Sequence, residues 1–259
     1  MTTLKEKLAA RTLTVGSWLS LASTETAEIM LGGGFDWLAI DMEHTAIGTE
    51  AMARMIQVVT LAGRPVLVRV GANDALLIKR AMDSGATGVI VPMINSADDA
   101  RHAVEALYYP PRGKRGVGLA RAQGYGRSFE TYRDWADRES VLVAQIEHHE
   151  GVRNLEAILA VDGVDAFMIG PYDLSGSLGR PGDFDSPAVA DALAQVRAVM
   201  QRSAKPGGLH IVHPDAATLR TRVAEGYRFI VYGVDEIFLC MAVDRDRAEV
   251  VALNGGKPA

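Results

Sequence analysis

Short, continuous apolar runs alternate with longer amphipathic stretches from one end of the chain to the other. The runs at residues 13–18, 37–40, 65–70, 89–91, 141–146, 166–169, 209–212 and 229–231 are rich in β-branched residues and rarely interrupted by polar ones. Strands covered on both faces read this way, because neither face is left to water. Between them, apolar positions at helical spacing predict helices near residues 24–32, 49–62, 74–84, 97–107, 150–160, 187–203, 214–225 and 235–252. The punctuation agrees. Ser96 stands where an N-cap hydroxyl is needed, and Ser186-Pro187 reads as a cap followed by proline at the first helical position. Gly63, Gly85 and Gly226 follow helical stretches, where a left-handed residue closes the last turn.

Eight strand–helix repeats in 259 residues predict a (β/α)8 TIM barrel occupying the whole chain as one domain, 1–259, with 254–259 as a frayed tail. A doubly wound open sheet is the competing arrangement, but no Gly-x-Gly-x-x-Gly follows the first strand. The longest irregular stretch, 108–126, is long enough to be read as a functional loop.

Charge narrows the class. Lys and Arg total 27 and Asp and Glu 32, a net charge of −5, and the densest basic cluster is Arg112-Gly-Lys-Arg115. That is no footprint for nucleic acid. A lone Cys240 excludes an intramolecular disulfide framework and a cysteine-rich zinc site, and fits a reducing compartment. The mixed-charge start does not read as a secretory leader, and no apolar run reaches the roughly 18 residues of a membrane span. The expectation is a cytoplasmic protein with no membrane partner.

In such a barrel, chemistry sits at the C-terminal ends of the strands. Strand two ends in Asp41-Met-Glu43-His44, strand three in Arg69, strand five in Gln145-Ile-Glu147 followed by His148-His149, and strand six in Gly170-Pro-Tyr-Asp173. Side chains alternate along a strand, so Val141, Val143, Gln145 and Glu147 share one face. If Gln145 points into the barrel mouth, so does Glu147, and a buried carboxylate needs a partner. Asp173 could share a cation with it. Two carboxylates with open positions suit Mg²⁺ or Mn²⁺, a Lewis acid for the enolate of a 2-oxo acid. Arg69 could hold the same oxyanion, and His44 is the best general base, with Asp41 placed to orient it. Each group alone reads as readily as a helix cap or a surface ion pair, with Arg69 merely pairing with Glu43 or Asp41. Agreement among several strand ends is what favours chemistry.

A Schiff base would need a desolvated lysine in the barrel. Lys5, Lys7, Lys79, Lys114, Lys205 and Lys257 all lie outside the expected strands, so no Schiff-base lysine and no organic cofactor are expected. His210 and His213 face opposite sides of a strand and read as structural. His148-His149 either lines the pocket or begins a helix. Gly207-Gly208 and Gly233 lie near the usual phosphate corner, but tight turns need glycines too.

Phe35-Asp-Trp-Leu-Ala-Ile-Asp-Met-Glu-His44, Pro65-Val-Leu-Val-Arg69, Val91-Pro-Met93, Tyr109-Pro-Pro-Arg-Gly-Lys-Arg-Gly116, Gln145-Ile-Glu147 and Ile169-Gly-Pro-Tyr-Asp-Leu-Ser175 stand in the same order as in a known family. Over about residues 5–250 the chain resembles the class II, metal-dependent pyruvate aldolases of the hydroxyheptanedioate and 2-dehydro-3-deoxyglucarate type, relatives of the citrate lyase β-subunit. The resemblance implies a homo-oligomer, a hexamer built as a trimer of dimers, with the C-terminal helix exchanged between subunits. It implies Mg²⁺, Mn²⁺ or Co²⁺ on Glu147 and Asp173, a base dyad of His44 and Asp41, and Arg69 as the enolate-stabilising group. Gln145, Arg69 and Asp173 fall on substrate-contacting positions, and Asp83 on an acidic residue that reaches a neighbouring subunit's site. Tyr172 stands where some relatives have a small residue, so the aldehyde is not transferable. The small-molecule partners implied are a 2-oxo acid and an aldehyde. An acyl-CoA lyase of the citrate lyase β type, or a non-catalytic 2-oxo-acid-binding barrel, are the alternatives. Ile237, Phe238, Leu239, Met241, Ala242, Val250 and Val251 form an apolar set wide for a lone terminal helix, which fits exchange; packing on its own barrel is the simpler reading.

Overall fold

A capping box opens the first helix, α1 (Leu4–Ala9): the Thr3 hydroxyl accepts the Glu6 N–H at 3.2 Å, and the Glu6 carboxylate accepts the Thr3 N–H at 2.8 Å. The computed structural model describes residues 2–254. After α1 the chain runs β1 (Thr14–Leu19), α2 (Thr24–Leu31), β2 (Trp37–Asp41), α3 (Thr49–Leu61), β3 (Val66–Arg69), α4 (Ala75–Asp83), β4 (Gly88–Val91) and α5 (Ala97–Leu107). It continues through a 3₁₀ turn (Arg121–Gln123), α6 (Phe129–Glu139), β5 (Val141–Ile146), α7 (His149–Arg153), α8 (Leu155–Leu159), β6 (Ala166–Ile169), α9 (Pro171–Ser177) and α10 (Pro187–Arg202). Last come β7 (Gly207–Ile211), α11 (Ala216–Ala224), β8 (Phe229–Val234), α12 (Asp235–Arg245) and α13 (Arg247–Leu253). The eight parallel strands pair in chain order and close, β1 on β8, into a (β/α)8 barrel.

All eight expected strands form. Three helices were not legible from apolar spacing: α1 is too short to show a period, α6 buries only Tyr132 and Ala136, and α9 begins with a proline two residues after β6. The stretch 150–160 breaks at Asn154, whose amide donates to the Asn95 carbonyl at 2.8 Å, and 235–252 breaks at Asp246. Ser96 caps α5 by accepting the Asp99 N–H, and Gly63, Gly85 and Gly226 adopt positive φ. Ser186 precedes Pro187 at the start of α10 without a side-chain cap bond. Among the described residues no helix is long and apolar enough to cross a membrane. Of the expected tail, residues 255–259 lie outside the described residues.

Two apolar shells flank the barrel wall. Leu38, Ile40, Val66, Val68, Leu142, Ala144, Phe167 and Ile169 face the helices, while Trp18, Trp37, Ala39, Leu67, Ile90, Val143, Met168, Phe229 and Val231 fill the interior. The Trp37 and Phe229 rings stack 4.4 Å apart at 3°. Their room comes from glycine: a Cβ on Gly16 would stand 2.2 Å from the Trp37 ring, and one on Gly208 2.2 Å from the Phe229 carbonyl oxygen. Gly207-Gly208 therefore begin β7, at the end of the barrel away from the rim, and serve packing; the phosphate-corner reading fails for them. Replacing Gly16 by alanine should cost about 1–3 kcal/mol of stability through overpacking, measurable by urea denaturation.

α1 closes the N-terminal end with Leu4 and Leu8. Its Lys5 ammonium donates to the Ser140 carbonyl at 2.6 Å and pairs with Asp165 at 3.1 Å, so this partly buried lysine sits at the end opposite the rim. With the interior filled below and α1 beneath, the rim at the strands' C-terminal ends is the entrance that remains. At the chain's other end, Leu239, Met241, Val243, Val250 and Leu253 leave an exposed apolar face on α12 and α13.

Candidate active site

β2 and β3 pair with Asp41 beside Arg69, and that register sets the first half of the site. Arg69 forks onto the Asp41 carboxylate, Nε to Oδ1 at 2.9 Å and Nη2 to Oδ2 at 2.6 Å. Its Nε also lies 3.3 Å from Glu43 Oε2, and its Nη1 donates to Gln145 Oε1 at 3.5 Å. The guanidinium stacks on the Trp18 ring, 4.5 Å from its centroid, which fixes its plane. Burial works against the charge on Asp41, but the hydrogen bonds and charge of Arg69 outweigh it and hold the carboxyl below its usual range.

Asp41 meets His44 through the main chain rather than the ring. Its Oδ1 accepts the N–H of Glu43 at 3.0 Å and of His44 at 3.4 Å, which shapes the turn after β2. The His44 imidazole is more than half exposed, and its Nε2 lies 3.7 Å from Glu43 Oε2. Glu43 is thus the acidic side chain next to that ring.

The second half comes from β5 and β6. Gln145 and Glu147 both turn inward, as strand parity requires. Glu147 is 3% exposed. Its Oε1 accepts the Met93 N–H at 2.7 Å and its Oε2 accepts Gln145 Nε2 at 2.5 Å. Gly170, one residue past β6, leaves the space: a Cβ there would stand 2.9 Å from Glu147 Oε2. Asp173 lies in the first turn of α9. Burial, and then the Asp173 charge, raise the Glu147 carboxyl despite its hydrogen bonds. Burial and the Glu147 charge push Glu43 up to about 7.

Three carboxylates are therefore crowded around one arginine that is already committed to Asp41. The carboxylates in this rim outnumber the cationic side chain that pairs with them, an excess that protons or a bound cation could balance. Among the described residues no three His, Cys, Asp or Glu side chains form a ready-made cage. Glu147 and Asp173 are the two carboxylates that could hold a cation here, with remaining positions for oxygen ligands from outside the chain. Hard divalent cations take such sets.

Asp83 is not part of this rim within one chain. It ends α4, at the far end of the barrel, 3.6 Å from the Arg115 guanidinium, and burial raises its carboxyl. His148 begins a helix: its Nδ1 accepts the Glu150 N–H at 3.3 Å as the cap of α7. Tyr172 is exposed and meets Phe184 edge to face at 5.0 Å. Glu43 and Trp18 are the contacts that sequence reasoning left out of the site. Glu43 lies two residues beyond Asp41, so alternation could have placed it on the same face; nothing local marks Trp18 as the plate beneath Arg69.

Residues 14–242 match the family described as HpcH/HpaI aldolase/citrate lyase. The chain is 40% identical over 234 residues to the 2-keto-3-deoxy-L-rhamnonate aldolase of Klebsiella pneumoniae, covering 89% of this chain and 86% of that one. It is 37% identical over 238 residues to the hydroxypyruvate/pyruvate aldolase of Roseobacter denitrificans, 91% of each chain. The crystal structure of a family protein from Burkholderia cenocepacia J2315 superposes with a TM-score of 0.89 at 36% identity, covering 96% of this chain and 99% of that one. The chain belongs to the HpcH/HpaI aldolase/citrate lyase family.

Proposed function

We propose that this protein is a divalent-metal-dependent aldolase that enolises pyruvate or hydroxypyruvate and adds it reversibly to an aldehyde, so that in the other direction it cleaves 4-hydroxy-2-oxo acids. The observation that carries this reading is the buried, hydrogen-bonded Glu147 carboxylate facing Asp173 beside the Arg69 fork. The printed activities of the relatives point the same way.

Glu147 and Asp173 would hold Mg²⁺, Mn²⁺ or Co²⁺, which when bound supplies Lewis acidity to the oxygens of the keto acid. Arg69 would hold the oxyanion that develops on C2, its Nη1 being the arm least committed to carboxylates. Asp41 keeps that guanidinium in place, and Gln145 steadies both Arg69 and Glu147. His44 would take a C3 proton. The carbon so exposed then bonds to the aldehyde carbon, and the aldehyde oxygen takes up the proton that His44 gives back. Asp41 and Glu43 assist His44, the first by setting the turn and the second by its nearby charge.

Assembly as a hexamer, with α12 and α13 exchanged and Asp83 offered to a neighbour's rim, is part of the proposal. The exposed apolar face of those helices and the distance of Asp83 from its own rim support it. A cytoplasmic location fits the free Cys240. The acyl-CoA alternative is disfavoured because its basic groove is already committed: Arg112 pairs with Asp137, Lys114 with Glu105, and Arg115 is buried.

The test is exchange of pyruvate's methyl protons for deuterium in heavy water, followed by NMR with each of the three metals. His44→Ala should slow exchange by about 10²–10⁴-fold, the usual worth of a general base. Exchange at the wild-type rate would remove His44 from the mechanism. An unmutated protein that exchanges nothing with any of these metals would favour the non-catalytic binder.

A further inference from the structure

One polar side chain on the inner wall is used by none of the steps above. His210 lies on β7 opposite Val231 of β8, an interior residue, so the ring points into the barrel. It packs edge to face on Trp18, ring centroids 6.1 Å apart at 81°, and the same Trp18 carries the Arg69 guanidinium on its ring. His210, Trp18 and Arg69 therefore line one continuous floor beneath the rim.

The ring makes one protein hydrogen bond among the described residues, from Nε2 to the Gly233 carbonyl at 3.3 Å. A carbonyl only accepts, so Nε2 carries the proton and Nδ1 keeps a lone pair. Burial, with the Arg69 charge adding to it, pushes the imidazole down to about 4, so this form persists through neutral pH. The residue is half-buried, and among the described residues Nδ1 has no protein hydrogen-bond partner. A neutral acceptor beside the Trp18 ring suits a hydroxyl hydrogen. It offers nothing to a methyl group and attracts no carboxylate.

Which hydroxyl is decided by depth. The donor's C2 oxygen belongs at Arg69, on the same floor as His210, whereas the aldehyde arrives afterwards from the open rim. Resting on the aldolase reading above, we infer that His210 is a specificity-determining residue whose Nδ1 accepts the C3 hydroxyl of a 3-hydroxylated 2-oxo acid, so that the site favours hydroxypyruvate relative to pyruvate as the carbon nucleophile.

The experiment measures C3 proton exchange in heavy water with hydroxypyruvate and with pyruvate, aldehyde omitted, and compares the ratio of the two kcat/KM values. In His210→Leu the ratio of hydroxypyruvate to pyruvate should fall about five- to tenfold, the worth of one neutral hydrogen bond. His210→Asn puts an amide oxygen close to the position of Nδ1 and should restore most of the ratio. His210→Gln, whose amide reaches toward Nε2 instead, should not. An unchanged ratio in His210→Leu overturns the inference. So does an equal fall with both donors, which would make His210 packing support for Trp18. Wild-type protein inert toward both donors would overturn the aldolase reading itself, a result seen before any substitution and so separable from the other two.

Discussion

Replacing Glu147 by glutamine should lower metal-dependent turnover by about 10³-fold or more, because a Lewis acid contributes several kcal/mol to the transition state. The shape of the side chain is kept and the Met93 N–H retains its acceptor. What is lost is one of the two carboxylates able to grip a cation. A second effect follows from Gln145, which donates to Glu147 Oε2. In the variant, an amide nitrogen on that side would meet the Gln145 amide nitrogen, two donors face to face. If Gln145 turns over to relieve this, its contact with Arg69 Nη1 goes too. Asp173→Asn should reproduce the loss without disturbing Gln145. The fold should survive both changes, since each removes charge from a crowded, unbalanced rim.

Stability carries its own signature. Glu43 has a folded pKa raised to about 7. A raised group favours the folded state below its unfolded value near 4.5 and loses that contribution as pH rises through about 7. The Glu147 charge is one cause of the shift. In chelator-treated protein, Glu147→Gln should therefore shrink the loss of melting temperature between pH 5 and pH 8. Thermal denaturation at the two pH values, beside turnover with and without metal, checks both halves. Full activity of Glu147→Gln in chelated buffer would falsify the metal role.

Loss of Arg69 should be nearly as damaging, and for two separable reasons. Arg69→Lys keeps a positive charge but not the planar fork that Asp41 receives, nor the face laid on Trp18. Turnover should fall about 10²–10³-fold, as when one oxyanion donor is removed. Arg69→Ala should in addition cost about 3–5 kcal/mol of stability, because Asp41 would be left buried and unpaired. The double variant Arg69→Ala with Asp41→Asn should recover most of that stability and none of the activity. Urea melts and initial rates on the same preparations separate the effects. Recovery of turnover in the double variant would show that Asp41, not Arg69, limits catalysis.

The two histidines nearest the chemistry show how far spacing carries. Asp41 and His44 stand three residues apart, which suggests a carboxylate orienting a ring. In the folded chain the Asp41 oxygens are taken by Arg69 and by main-chain N–H groups, and the ring faces Glu43. Spacing along a turn says which groups are near, but a residue 28 positions away decided which of them bond. His210 was read as structural because His213 falls on the other side of the strand. The pairing of β7 with β8 turns the ring into the barrel against Trp18, a placement that the spacing of the two histidines does not reveal.

What the sequence determined by itself is everything with a local cause. Continuous apolar runs specify strands covered on both faces, Ser96 and the left-handed glycines set helix ends, and alternation in 141–147 sends Gln145 and Glu147 inward together. Closure of the barrel brought the rest: the Arg69 fork on Asp41, the crowding of Glu43 by Glu147, the Trp37–Phe229 stack over Gly16 and Gly208. Those contacts join residues far apart in the chain, and their energies depend on which side chains arrive from other strands and on how much water they displace. No window of neighbouring residues contains that information.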